Sequence, residues 1–135
     1  MKNFKLFVAA PLILFIAVQL TSCKEQMEHD YFLIAVDSIS APNTIDINKP
    51  FDLRFYGYIG HNGCYDFDRF VVDKQDELIT IEAWGRKNID IHKCPDVLVN
   101  MEGEKLNLMV EKPGNYLIKI KLPGDSIMEL TIAGH

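Results

Sequence analysis

The chain has 135 residues, with 14 basic and 19 acidic side chains for a net charge of -5, and 48% of it is hydrophobic. That size holds one domain around a single core, and the apolar content argues against a disordered chain. A net-acidic chain without a run of Lys or Arg is unsuited to polyphosphate, so DNA and RNA are excluded as partners.

Lys2 and Lys5 give a basic start, and residues 6–20 form an apolar stretch in which Gln19 is the one polar side chain. The run is short for a spanning helix, which needs roughly 20 apolar residues. Leu20-Thr21-Ser22-Cys23 follows, with small residues ahead of the cysteine as a signal-peptidase site requires. The order of these features resembles the lipobox signal of bacterial lipoproteins, in which the cysteine is lipidated and becomes the first residue. The resemblance implies a signal peptide over residues 1–22, lipidation at Cys23, and the membrane as a partner through that lipid. It also implies a cell-envelope address. Lys24 after the cysteine leans toward the outer membrane, on its periplasmic side or at the cell surface. The plainer alternative is an uncleaved anchor or core helix with Cys23 an incidental thiol. Cleavage leaves 113 residues (135 minus 22) and removes Lys2 and Lys5, so 12 basic side chains face 19 acidic ones. Residues 23–30 are polar, lack strand alternation and read as a tether.

From residue 31 to residue 135 the pattern is short apolar alternation broken by turn residues, which predicts an all-β domain. Residues 32–39 form a first strand and residues 44–47 a short extended piece. Phe51, Leu53, Phe55, Gly57 and Ile59 alternate with Asp52, Arg54, Tyr56 and Tyr58, placing one set in the core and the other outside. Asn62-Gly63 is a strong turn signal because both residues accept positive φ. A strand over residues 64–72 breaks its alternation between Phe67 and Phe70, which predicts a bulge or a twist. Residues 73–76 turn into a strand over 77–84. Residues 85–95 form the longest stretch without a strand pattern. Residues 96–101 read as an edge strand, with Glu102-Gly103-Glu104 turning into 105–110. Strands over 116–122 and 127–132 complete the chain. Seven or eight short strands in this length fit a sandwich of two antiparallel sheets.

Pro113-Gly114-Asn115-Tyr116 resembles the entry to the penultimate strand of many immunoglobulin-like domains. The likeness implies an immunoglobulin-like sandwich in which the Tyr116 hydroxyl bonds back to the preceding backbone and fixes a corner. Cys64 and Cys94 do not sit at the antibody positions, so no antibody-type disulfide and no inherited function is expected.

With Cys23 assigned to lipid by the lipobox resemblance, Cys64 and Cys94 remain as an even pair for an oxidising compartment. A bridge between them would tie residues 85–95 to the start of a strand. The alternative uses the same residues: His61, Cys64, His92 and Cys94 supply the ligand types of a tetrahedral zinc or soft copper site in a metal-handling protein. Tyr56, Tyr58, Tyr65 and Trp84 are candidates for an aromatic platform that takes a glycan or packs on an envelope protein. They could equally cover the edge of the sandwich. Asp66 and Asp68, with His92, are the residues a small hydrolase would use, although charged side chains two apart on a strand are ordinary solvent-facing background. No nucleophile, phosphate-loop or metalloprotease motif occurs, and nothing in the sequence calls for a cofactor. The sequence therefore favours a non-catalytic binding or assembly module.

Overall fold

The computed structural model describes residues 27–135. They form nine strands: β1 (His29–Leu33), β2 (Ala35–Ser40), β3 (Thr44–Ile45), β4 (Phe51–Gly60), β5 (Tyr65–Gln75), β6 (Leu78–Asn88), β7 (Val99–Leu108), β8 (Gly114–Lys121) and β9 (Ile127–Gly134). One 3-10 turn, Pro123–Asp125, links the last two. Period-two alternation explains the inner faces. Leu53, Phe55 and Ile59 of β4, Ile79, Ile81 and Ala83 of β6, and Ile118 and Ile120 of β8 are buried in one core between two sheets. No helix among the described residues is long and apolar enough to cross a membrane.

The smaller sheet is antiparallel, in the order β2-β4-β7. The larger is built on β6. One edge of β6 pairs along its whole length with β5, across a turn in which Asp76 has φ 54°. Its other edge is divided between β8, parallel over residues 78–82, and β1, antiparallel over residues 84–88. β9 pairs antiparallel with β8, and β3 lies parallel to the end of β9.

The expected sandwich is present, with nine strands in place of seven or eight, and it differs from the predicted one in further details. First, the stretch over residues 32–39 is two strands. The Ile34 N–H donates to the Ala83 carbonyl at 2.8 Å, so the chain leaves the large sheet there and continues in the small one. Second, the strands expected over residues 96–101 and 105–110 merge into a single strand, β7, which starts only at Val99 and ends at Leu108. Gly103 takes φ 96° where the register with β4 shifts, so the predicted turn is a bulge. Third, Asn62-Gly63 makes no hairpin. It joins β4 to β5 across the two sheets, and neither residue has a positive φ. Fourth, because successive strands change sheets, β6 and β8 meet in parallel and the large sheet is mixed. Strand β1 also begins at His29, two residues inside the expected tether, and β6 runs on to Asn88.

The irregularity predicted near Phe67 is present as a bulge, with the register shifting between Phe67 and Arg69. The corner also forms: the Tyr116 hydroxyl donates to the Lys112 carbonyl at 2.6 Å.

Candidate functional site

Strand β4 is the middle strand of the small sheet, and its alternation turns Tyr56 and Tyr58 outward at 38% and 44% exposure. Their ladder neighbours are short or polar. Ser38 and Glu102 flank Tyr56, while Ala35 and Asn100 flank Tyr58. Gly103 lies under the Tyr56 ring, where a β-carbon would sit 3.3 Å from the hydroxyl oxygen and 3.6 Å from ring carbons. The bulge therefore gives Tyr56 a flat seat, and both rings stand above a low surface. Farther along this face Asp52 accepts from Asn107 Nδ2 at 2.9 Å and pairs with Lys105 Nζ at 3.2 Å. The Asn107 hydrogen bond first, and then Lys105, hold the Asp52 carboxyl below its ordinary range.

Trp84 is not part of that surface. It projects from the outer face of the large sheet, on the opposite side of the sandwich. There its Nε1 donates to Glu82 Oε2 at 2.9 Å, and Glu82 also accepts from Lys121 Nζ at 2.7 Å. Lys121 chiefly, with Trp84, keeps the Glu82 carboxyl below its usual value, and the same pairing raises the Lys121 ammonium. Arg69, the ladder neighbour of Trp84, lies over the Tyr31 ring at 5.3 Å. Tyr65 packs among Phe32 and His61, with ring centroids 5.8 and 5.1 Å away. The four-residue platform thus separates into a tyrosine pair on one face, a tryptophan on the other and a packed tyrosine at one end.

Cys64 and Cys94 form a disulfide with Cα atoms 5.3 Å apart. Both sulfurs are committed to each other, so the zinc or copper set of His61, Cys64, His92 and Cys94 loses its thiolates. No three His, Cys, Asp or Glu side chains converge on a metal-sized site among the described residues. His61 lies against Tyr65, and His92 is exposed in the loop over residues 89–98. Asp66 and Asp68 do not form an acid–base couple: Arg86 approaches both, at 3.0 and 3.7 Å, and Arg69 pairs with Asp68 as well. A shallow hollow of about 250 Å³ beside the disulfide includes Asp66, Arg86 and His29 but not His92.

Two features had no clear signal in the sequence. A cleft of about 510 Å³ opens at the far end of the sandwich, between the β5–β6 turn and the segment entering β8. Ile79, Val110 and Tyr116 line it, with Lys74, Glu77 and Lys112 among its polar residues. Its components come from turns more than thirty residues apart, so no local pattern announces it. The second feature is apolar exposure in the stapled loop, at Ile89 and Ile91, and at Val97 and Leu98 just before β7. In the sequence these residues read as background or as part of an edge strand. The lipobox and Cys23 lie outside the described residues. In comparisons with known proteins the chain matches no family model, no curated protein and no solved structure.

Proposed function

We propose that this protein is a lipid-anchored, non-catalytic binding module of the cell envelope, and that its ligand is a glycan held on the Tyr56/Tyr58 face. The observation that carries this reading is the exposed tyrosine pair on a middle strand, surrounded by short and polar side chains. A sugar ring presents a flat C–H face to an aromatic ring and hydroxyls around its rim. Two tyrosines with Ser38, Asn100 and Glu102 beside them supply stacking surfaces together with hydrogen-bond donors and acceptors. Such a surface needs no deep pocket and no reactive group. The Leu20-Thr21-Ser22-Cys23 pattern supports the anchor, which would hold the module at the envelope surface where glycans are concentrated.

The test is binding of the purified protein to a panel of envelope polysaccharides, with Tyr56→Ala/Tyr58→Ala and Trp84→Ala variants measured side by side. The tyrosine double variant is expected to lose about tenfold or more in affinity, equivalent to roughly 1.4 kcal/mol. Trp84→Ala should bind as the parent does. Undiminished affinity in a folded double variant would remove this face as the site. Capture of a protein in place of any polysaccharide would replace the glycan with a protein ligand. Mass spectrometry of protein extracted from membranes tests the anchor directly, through acyl chains on Cys23.

A further inference from the structure

We infer that the disulfide-stapled end of the sandwich, with Ile91, Val97 and Leu98 at its surface, docks against the lipid bilayer. This rests on lipidation at Cys23 and adds to it a fixed orientation of the domain. Ile89 is 39% exposed, Ile91 46%, Val97 51%, Leu98 66% and Met27 59%. In a small acidic domain, so many large apolar side chains at one end mark a surface that meets an apolar partner.

The partner is identified by where the chain enters. Three residues lie between Cys23 and Met27, and a fully extended chain covers at most about 14 Å in those four steps. Met27 is in turn fixed at this same end. Asn88 Nδ2 donates to its sulfur at 3.4 Å, the Ile89 N–H donates to the Glu28 carbonyl at 3.2 Å, and the Glu28 N–H donates to Asp90 Oδ2 at 2.6 Å. The entering chain and the apolar loop are therefore one unit. A lipid on Cys23 brings that unit to the bilayer with little room for a protein between them. The loop is also held in advance: Cys94 is bonded to Cys64, and the Gly63 N–H donates to the Pro95 carbonyl at 2.8 Å. Docking then needs little further ordering of this segment, which favours binding by exposed side chains alone.

The orientation has a consequence for the rest of the molecule. Strand β6 ends at this loop with Asn88 and begins beside the cleft with Leu78, so its length places the cleft about 33 Å from the docked end. The sandwich then stands upright with the tyrosine face on its side, Tyr56 farther from the lipid than Tyr58.

The test uses the full lipidated chain in phosphatidylethanolamine and phosphatidylglycerol vesicles, with or without bromine near the headgroup end of the acyl chains. Trp84 is the single tryptophan, so Leu98→Trp in a Trp84→Phe background reports on the loop alone. Ile91→Trp in the same background serves if Leu98→Trp does not fold. Interfacial side chains reach about 5–10 Å into the boundary, so bromine is expected to quench this reporter about twofold or more. Trp84 in the parent, four residues up β6 on an outer face, is expected to remain unquenched. A lipidated protein that floats with the vesicles but shows no quenching at Leu98→Trp or Ile91→Trp would overturn the docking and leave the anchor intact. Quenching of both Trp84 and the loop reporter would overturn the upright orientation. An unacylated Cys23 in membrane-extracted protein would overturn anchor and docking together.

Discussion

The two ends of the sandwich are closed by different means. At the loop end, residues 89–98 have no sheet partner, and a covalent bond from Cys94 to Cys64 holds them together with a few hydrogen bonds to the Gly63 and Glu28 backbone. At the cleft end hydrogen bonds do the work. Tyr116 reaches the Lys112 carbonyl, Lys74 Nζ donates to the Met109 carbonyl at 3.0 Å, and the Leu117 N–H donates to the Glu77 carbonyl at 2.9 Å. A ten-residue segment with apolar side chains turned to solvent cannot stabilise itself by burial, so it relies on the cross-link. The cleft end is short turns between strands, and a few polar contacts are enough to define it.

The largest effect should come from removing the cross-link. A Cys64→Ala/Cys94→Ala variant opens a 30-residue separation, and the chain-entropy relation puts the loss at about 3–4 kcal/mol. Denaturant unfolding measures the total, and hydrogen exchange locates it. Amides of residues 89–98 should lose protection while those of residues 110–116 keep theirs. Equal loss at both ends would mean that the two closures are coupled and do not act independently.

Tyr116→Phe is the matching experiment at the other end. It deletes the corner bond while keeping the buried ring, for an expected cost of about 1–1.5 kcal/mol, with the exchange increase centred on residues 110–116. Gly103→Val examines the proposed binding face. A β-branched side chain at φ 96° under the Tyr56 ring should cost about 1–2 kcal/mol and displace that ring, weakening glycan capture. Capture that stays unchanged as stability falls would show that the seating of Tyr56 is irrelevant to binding.

The smallest effect is a pH dependence on the face that carries Trp84. Glu82 is held below its ordinary value of 4.5, so its contribution is complete above that pH and is lost as pH falls through the lower folded value. Lys121 is raised above 10.5, so its side of the pair is complete below that pH and lost as pH rises through the folded value. Trp84 emission should therefore hold steady between these limits and change at acid pH with a midpoint below 4.5. A midpoint at or above 4.5 would mean that the Glu82 contacts are not maintained in solution.

The same division appears between the two outer faces. The large sheet spends its charges internally, in Glu82–Lys121, Lys119–Glu129 and the Arg86 pairs with Asp66 and Asp68. The small sheet pairs Asp52 with Lys105 but leaves Tyr56 and Tyr58 standing among short or polar neighbours. The large sheet also exposes a ring, Tyr31, but Arg69 lies over it, whereas Tyr56 and Tyr58 form an exposed pair on one strand, which is why the proposed site lies on the smaller sheet.

Alternation was enough to make the fold class legible, because burial on a strand repeats every second residue and Leu53 to Ile59 or Ile79 to Ala83 carry that repeat unambiguously. The outward direction of Tyr56 and Tyr58 and the irregularity near Phe67 were readable for the same local reason, whereas the Tyr116 corner was expected from the likeness of Pro113-Gly114-Asn115-Tyr116 to immunoglobulin-like domains. Sheet membership was not readable, since which strand pairs with which depends on contacts between distant residues. Only the tertiary structure split the first strand at Ile34, sent Asn62-Gly63 across the sandwich, and put Trp84 on the face opposite the tyrosines. It also gathered Met27, Ile91, Val97 and Leu98 at the end where the chain enters. Local periodicity determines which way a side chain points from its strand, and long-range pairing decides what it will find there.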